Sequence, residues 1–344
     1  MPGSVVPGGE DRIGALPDDL LRRVLSLLTS RDSVCTCVLA RRWHHLWRSV
    51  PVVRVMVPMP IDIEGEEEVW FVNSLLLLRD RAPLHEVHIR TYLHEPSAPL
   101  SVELWLRRRL SLSNMTLVCQ HLTVLDIAGV KFEEHTLNFS SCPMLEVLKM
   151  FDCRISAEKI LCRSLRNLTM EMCRFDLYDR TRICCPAQKV YVTLQFEVDK
   201  CSSSGMLSRL CDAADLKLTS APQAIICTRD FKWCHTFSKL KTLFLNEWWL
   251  AADFRALVYF LQHSPILERL TLQLKFHKQQ SVHGKDESYK PGKQFLVSKN
   301  LKVDEIKCHK EDERIHQIVK ILFSFGVPPD LIDNQQNNVR SDCK

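Results

Sequence analysis

Glycine is scarce, ten in 344 residues, and that leaves few of the loops in which backbone amides cradle a phosphate. The linear signatures G-x-x-x-x-G-K-[ST], H-E-x-x-H and G-x-S-x-G do not occur, so nothing marks P-loop, zincin or nucleophile-elbow chemistry. Charge of one sign is lacking as well. Lys and Arg total 46 against 41 Asp and Glu, a formal net charge of +5, and no strongly basic segment stands apart, which leaves a nucleic-acid partner without support. No apolar run approaches the roughly 20 residues of a membrane span: the most apolar window, 70–78, is broken by Asn73 and Ser74 and closes at Arg79. The opening MPGSVVPGGEDR has prolines, glycines and acids where an export signal needs a basic start and an apolar run. A soluble intracellular protein with no membrane partner is expected, in nucleus or cytoplasm. The 15 cysteines are spread along the chain without paired C-x₂₋₄-C clusters; Cys35/Cys37 and Cys184/Cys185 are too tightly spaced for zinc. Reduced thiols and no metal or cofactor are the expectation. The 13 histidines are scattered, and His85 and His88, three apart on a candidate strand, point to opposite faces.

What is present is hydrophobic pattern. From Leu16, the residues Leu20, Leu21, Val24, Leu25 and Leu28 stack on one helical face. Pro17 fits the first helical position, and Asp18 and Asp19 sit where the helix dipole favours negative charge. Ser30 and Asp32 are candidate caps of a second helix carrying Val34, Cys37 and Val38. After Ala40 the phase shifts to Trp43, Leu46, Trp47 and Val50, and Pro51 ends the stripe. Two or three short helices result. About forty residues rarely bury enough surface to stand alone, and each large apolar side chain left in water forgoes roughly 1.5–3 kcal/mol. Either the rest of the chain or another protein covers them.

The run DRIGALPDDLLRRVLSLLTSRDSVCTCVLARRWHHLWRSVP, residues 11–51, resembles the F-box of plant proteins: a D-R-I-x-x-L-P-D start, a V-L-S-x-L helix, T-C-V-L-x-R-R-W-x-x-L-W and a closing V-P. F-boxes dock on the Skp-family subunit of a cullin-based ubiquitin ligase. The resemblance implies a docking surface built by Leu16, Pro17, Leu20, Leu21, Val24, Leu25, Val38, Leu39, Trp43, Leu46 and Trp47. Thr29 stands where many relatives have proline, a departure expected to loosen the turn. Some of these apolar residues, Trp47 among them, are expected to pack on the following domain while the others meet the partner.

A repeat fills the middle of the chain. Leu145, Leu148, Met150 and Cys153 fit the template L-x-x-L-x-L-x-x-N/C, and Leu165, Leu168, Met170 and Cys173 fit it again. The triplets Leu84/Val87/Ile89, Leu122/Leu125/Ile127, Leu240/Leu243/Leu245 and Leu267/Leu270/Leu272 share the offsets, and weaker copies start at Ala187 (Val190, Val192) and Ala213 (Leu216, Leu218). This is leucine-rich-repeat spacing, each copy reading as a short strand with inward leucines and a return segment. The template cysteine is expected inside the turn, its thiol against backbone groups. Residues 66–81 and 101–112 read as helices, the latter bearing Arg107, Arg108 and Arg109 on a solvated face. Residues 300–327 read as a strand and then a helix with Ile315, Ile318, Val319, Leu322 and Phe323 at helical spacing. They resemble the FBD module of plant F-box proteins, which here is expected to cap the last repeat.

The fold expected is α/β: a disordered N-terminus (1–10), an all-helical F-box (11–52), a leucine-rich-repeat solenoid (53–276), a mobile loop (277–293), an FBD-like strand–helix cap (294–327) and a disordered tail (328–344). The family resemblance implies a non-catalytic substrate receptor of a Skp-cullin-F-box ubiquitin ligase, with a Skp adaptor and through it a cullin as partners. An unknown target would sit on the exposed strand positions Thr123, Thr169, Glu171 and Thr271. A repeat scaffold outside any ligase and a cysteine enzyme with a distant histidine are the alternatives.

Overall fold

A computed structural model describes residues 13, 15–57, 70, 71, 74, 75, 78, 79, 82–91, 120–132, 136–156, 159–175, 182–184, 188–194, 210–220, 236–246, 250, 254–274, 301–307 and 314–328. The expectations for residues 1–10, 101–112, 277–293 and 329–344 lie outside these, and so does most of 66–81.

The N-terminal head forms as its apolar phase demands, with local adjustments. Helix α1 (Asp18–Leu25) starts one residue later than expected, because Pro17 is extended (φ −59°, ψ 150°) and serves as the N-cap; its carbonyl accepts from the N–H groups of Leu20 and Leu21. Helix α2 (Ser30–Cys35) is capped by neither Ser30 nor Asp32. Thr29 is the cap: its hydroxyl oxygen accepts from Asp32 N–H at 3.1 Å and donates to the Asp32 carboxylate at 2.7 Å. Thr29 therefore fixes the turn it was expected to loosen, since its side chain satisfies an amide that the first helical turn leaves open. Ser30 Oγ serves another purpose, accepting from Arg54 N–H at 2.9 Å. Three 3₁₀ segments follow, Thr36–Val38, Arg41–His44 and Leu46–Ser49.

The head has a small core of Leu21, Leu25, Trp43, Leu46 and Val50. Trp47 faces the other way and belongs to the main core with Val53, Val55, Val87 and Ile89. The two tryptophans thus divide the work, one closing the head and the other joining it to the strands beyond Pro51. Arg42 Nε and Nη2 bond Asp18 Oδ1 at 2.8 and 2.6 Å, and Arg22 Nε donates to Ser49 Oγ at 2.8 Å, tying the last 3₁₀ segments to α1.

Fifteen strands follow among the described residues: β1 (Val52–Val57), β2 (Glu86–Thr91), β3 (Val124–Ala128), β4 (Lys131–Phe132), β5 (Thr136–Asn138), β6 (Val147–Phe151), β7 (Arg154–Ile155), β8 (Lys159–Leu161), β9 (Asn167–Phe175), β10 (Arg182–Cys184), β11 (Lys189–Leu194), β12 (Asp215–Ser220), β13 (Thr242–Asn246), β14 (Arg269–Gln273) and β15 (Lys302–Lys307). The main sheet runs β1-β2-β3-β6-β9-β11-β12-β13-β14-β15, in chain order and parallel at every step. A second parallel sheet, β10-β8-β5, lies off this path.

Register explains the order. Val53, Val87, Leu125, Leu148 and Leu168 stand in one cross-strand row, continued by Val190, Leu216, Leu243, Leu270 and Val303. Two residues on, Val55, Ile89, Ile127, Met150 and Met170 make a parallel row that continues through Leu272. Side chains alternate faces along a strand, so both rows lie on one face, and the residues named in them are buried. At about 1.5–3 kcal/mol per buried aliphatic side chain, a slip of one residue in any strand would expose its share of both rows.

A residue with positive φ recurs at the same offset in three strands: Gly129 and Asp152 just past β3 and β6 (69° and 47°), and Met172 inside β9 (59°), where the pairing with β11 shifts register. The next residue is buried: Val130, Cys153 and Cys173. As expected from the template, the thiols meet backbone carbonyls. Cys153 Sγ lies 3.4 Å from Phe151 O and 3.6 Å from Ile127 O, and Cys173 Sγ lies 3.4 Å from Met150 O and 3.5 Å from Glu171 O. Among the described residues, Cys35, Cys37, Cys142, Cys153, Cys162, Cys173 and Cys211 form no disulfide.

Helix α3 (Arg255–His263) buries Ala256 through Leu261 between β13 and β14 in the chain. Helix α4 (Arg314–Ser324) follows β15 and buries Ile318 and Leu322, with Ile315 and Val319 packed against the main core. Phe323, expected on this buried stripe, is exposed; Phe325 and Val327 just beyond the helix are buried. At 3.6 residues per turn Phe323 lies about 100° round the axis from Leu322, off the apolar stripe.

Candidate functional site

Two surfaces stand out, one on the head and one on the sheet. Helix α1 has apolar residues on two sides. Leu21 and Leu25 face inward and are sealed, whereas Leu20 and Val24 remain 46% exposed. Leu27 (75%) in the turn after α1, Val38 (83%) in the 3₁₀ segment after α2 and Leu39 (68%) just beyond it are exposed as well, and so is Ile13. The exposed large apolar side chains of the head are thus concentrated on one short segment.

The sequence-derived docking residues divide accordingly. Pro17, Leu20, Val24, Val38 and Leu39 are exposed, Leu16 is half-buried against the small core, and Leu21, Leu25, Trp43, Leu46 and Trp47 are interior. The interior group shapes the head; the exposed group can touch a second molecule. Ile13 and Leu27 were missed, although both lie inside the quoted motifs. Helical phase alone places Leu20 and Leu21 on one broad face, and only the packing of Trp43 and Leu46 separates them.

The second surface is the sheet face opposite the buried rows. Its central cross-strand row opens with Arg54, His88, Asp126 and Lys149. His88 Nε2 lies 3.0 Å from Glu86 Oε2 and its Nδ1 lies 3.4 Å from Asp126 Oδ2. Arg54 Nη2 reaches Glu86 at 3.6 Å and Arg90 Nη2 reaches Asp126 at 3.8 Å. The hydrogen bond from His88, with the charges of His88, Arg90 and Lys149, holds the Asp126 carboxyl below the ordinary aspartate range despite its burial. Thr169, Tyr191, Lys217, Phe244 and Thr271 continue the row, which ends at Glu305 of β15 after a shift of register.

Of the sequence-derived target positions, Thr169 and Thr271 lie in this row and Glu171 two residues further along β9. Thr123 is set apart. It precedes β3 on the alternation of the buried Leu125 and Ile127, and its hydroxyl donates to His85 O at 3.1 Å. Tyr191, Lys217 and Phe244 were missed, yet VYV, LKL and LFL place them at the centre of apolar triplets as LTM and LTL place Thr169 and Thr271. The weakness of the copies at Ala187 and Ala213 drew attention away from the side chains they carry outward.

His85 and His121 stack at 6.1 Å between ring centroids, while His88 is engaged with Glu86 and Asp126. Among the described residues, no group of three or more His, Cys, Asp or Glu is placed to hold a metal ion, and no helix is long and apolar enough to cross a membrane. The Cys173 thiol is pushed well above its ordinary value by the neighbouring Cys153 and by burial, and Cys211 upward chiefly by burial. Both are therefore poorer nucleophiles than a free thiol.

Residues 13–54 match the family described as F-box domain. An FBD-associated F-box protein of Arabidopsis thaliana is 30% identical over 226 residues, 52% of this chain and 51% of that protein. An F-box/FBD/LRR-repeat protein of the same plant is 28% identical over 202 residues, 52% and 48% of the two chains. Another FBD-associated F-box protein of that plant is 33% identical over 96 residues, 28% and 22%. The chain thus spans about half the length, or less, of these curated relatives.

Proposed function

We propose that this chain, assigned by its F-box domain and its relatives to the F-box/FBD/LRR family, is the substrate-recognition subunit of a Skp-cullin-F-box ubiquitin ligase. One observation carries the proposal. The matched domain closes a core of its own and still leaves Leu20, Val24, Leu27, Val38 and Leu39 uncovered. Fully burying Leu20 and Val24 on a partner would contribute roughly 0.7–1.4 kcal/mol each, since about half of each is already covered. A Skp-family adaptor presenting an apolar helical surface fits that strip, and through it the chain reaches a cullin.

In this reading the main sheet is the inner wall of a leucine-rich-repeat solenoid, with β15 and α4 as the FBD-like end cap, and its open face receives a target protein. The chain performs no bond chemistry. It raises the effective concentration of target beside the ubiquitin donor, and it needs no cofactor.

The test is co-purification with a Skp-family adaptor. Leu20→Asp combined with Val24→Asp should abolish adaptor binding and leave the circular dichroism unchanged, because neither side chain enters the head core. Retained binding by a folded double variant would contradict the proposal. Leu21 is unsuitable for this test, since charging a sealed core position unfolds the head whatever it binds.

A further inference from the structure

Resting on the reading that the open sheet face receives the target, the chemistry of that face says what kind of segment it takes. Lys217 stands in the central row with Tyr191 on one side and Phe244 on the other. Its ammonium lies 5.9 Å from the Tyr191 ring centroid and 5.0 Å from that of Phe244. The rings hold it by their quadrupoles, and no carboxylate among the described residues lies within ion-pairing distance of it. Lys217 is exposed, the two rings half-buried. Elsewhere in the row Arg54 and His88 face Glu86 or Asp126, and Lys149 stands next to Asp126 across the strands without an ion pair of its own among the described residues.

Over β11 to β14 the open face presents three cations, Lys189, Lys217 and Arg269, against the single acid Asp215. Thr169 and Thr271 flank the trio with hydroxyls able to meet a peptide backbone. Neighbouring strands are about 4.8 Å apart, so the five-membered row spans roughly 19 Å, the length of about six residues of extended chain.

We infer that Tyr191, Lys217 and Phe244 form a seat for an extended acidic segment of the target protein, one carboxylate meeting the Lys217 ammonium and apolar neighbours lying against the two rings. A nucleic acid fits less well. The ring faces that would stack on bases are turned to Lys217, and Asp215 and Glu171 interrupt any track of cations.

Fluorescence anisotropy on the full chain tests this with a labelled peptide of alternating Glu and Leu, its Gln-and-Leu counterpart and a single-stranded oligouridine. The Glu peptide should bind about tenfold more tightly than the Gln peptide, the scale of one well-placed charge pair. Lys217→Met should erase that preference and Lys217→Arg restore most of it, while Tyr191→Leu with Phe244→Leu weakens both peptides. Adaptor binding by every variant serves as the check on folding. Equal binding of both peptides, each blocked by Thr271→Trp, overturns the acidic seat and leaves the open face as the docking face. Peptide binding indifferent to Thr271→Trp overturns both. Displacement of the Glu peptide by oligouridine, or no peptide binding at all, overturns the acidic seat.

Discussion

Met172 sits at φ 59° where the equivalent position one repeat earlier has Asp152 and two earlier has Gly129. A left-handed conformation costs a side-chain-bearing residue about 1–2 kcal/mol, and glycine escapes it. Met172→Gly should therefore stabilise the protein by about 1 kcal/mol, read as a higher urea midpoint with unchanged slope. Asp126 gives a prediction in pH. Its folded-state value is depressed, chiefly by the hydrogen bond with His88, so it contributes stability that is present above the ordinary aspartate range and lost as pH falls through the lowered value. Asp126→Asn should flatten the acid limb of the stability profile, and a limb identical to that of the wild type would show that the His88 contact does not hold in solution.

Helix α1 carries two apolar faces with opposite duties, and substitutions should separate them. Leu21→Ala opens a cavity in a core of five buried residues and should cost about 2–5 kcal/mol, read by thermal unfolding, whereas changes at Leu20 or Val24 leave stability nearly untouched. The periodicity of the sequence made α1 legible, and so were the repeat strands, because a buried row of leucines at fixed offsets leaves a linear trace. The cap at Thr29 was hidden: Ser30, Thr29 and Asp32 are all good cap residues, and the choice among them depends on Arg54 N–H, 24 residues away, which takes the hydroxyl of Ser30. The division of the tryptophans was hidden for the same reason. Trp43 and Trp47 look alike in sequence, and only the entry of β1 into the sheet draws Trp47 into the main core.

At the scale of the whole molecule the parallel sheet in chain order turns a string of local repeats into one continuous core, with the head joined at one end through Trp47, Ser30 and Arg54. That geometry leaves two uncovered faces with different chemistry: apolar on the head, charged and aromatic on the sheet. The outward positions were less legible than the inward ones, since a side chain facing solvent is not held to one residue type, and Tyr191, Lys217 and Phe244 gain meaning only when the register sets them side by side. Separate faces imply that one partner can be bound without disturbing the other. Hydrogen–deuterium exchange of the chain with and without a Skp-family adaptor tests this most directly. The account predicts new protection confined to residues 16–39, with strands β9 to β14 unchanged; protection spread across those strands, or none in α1, would contradict it.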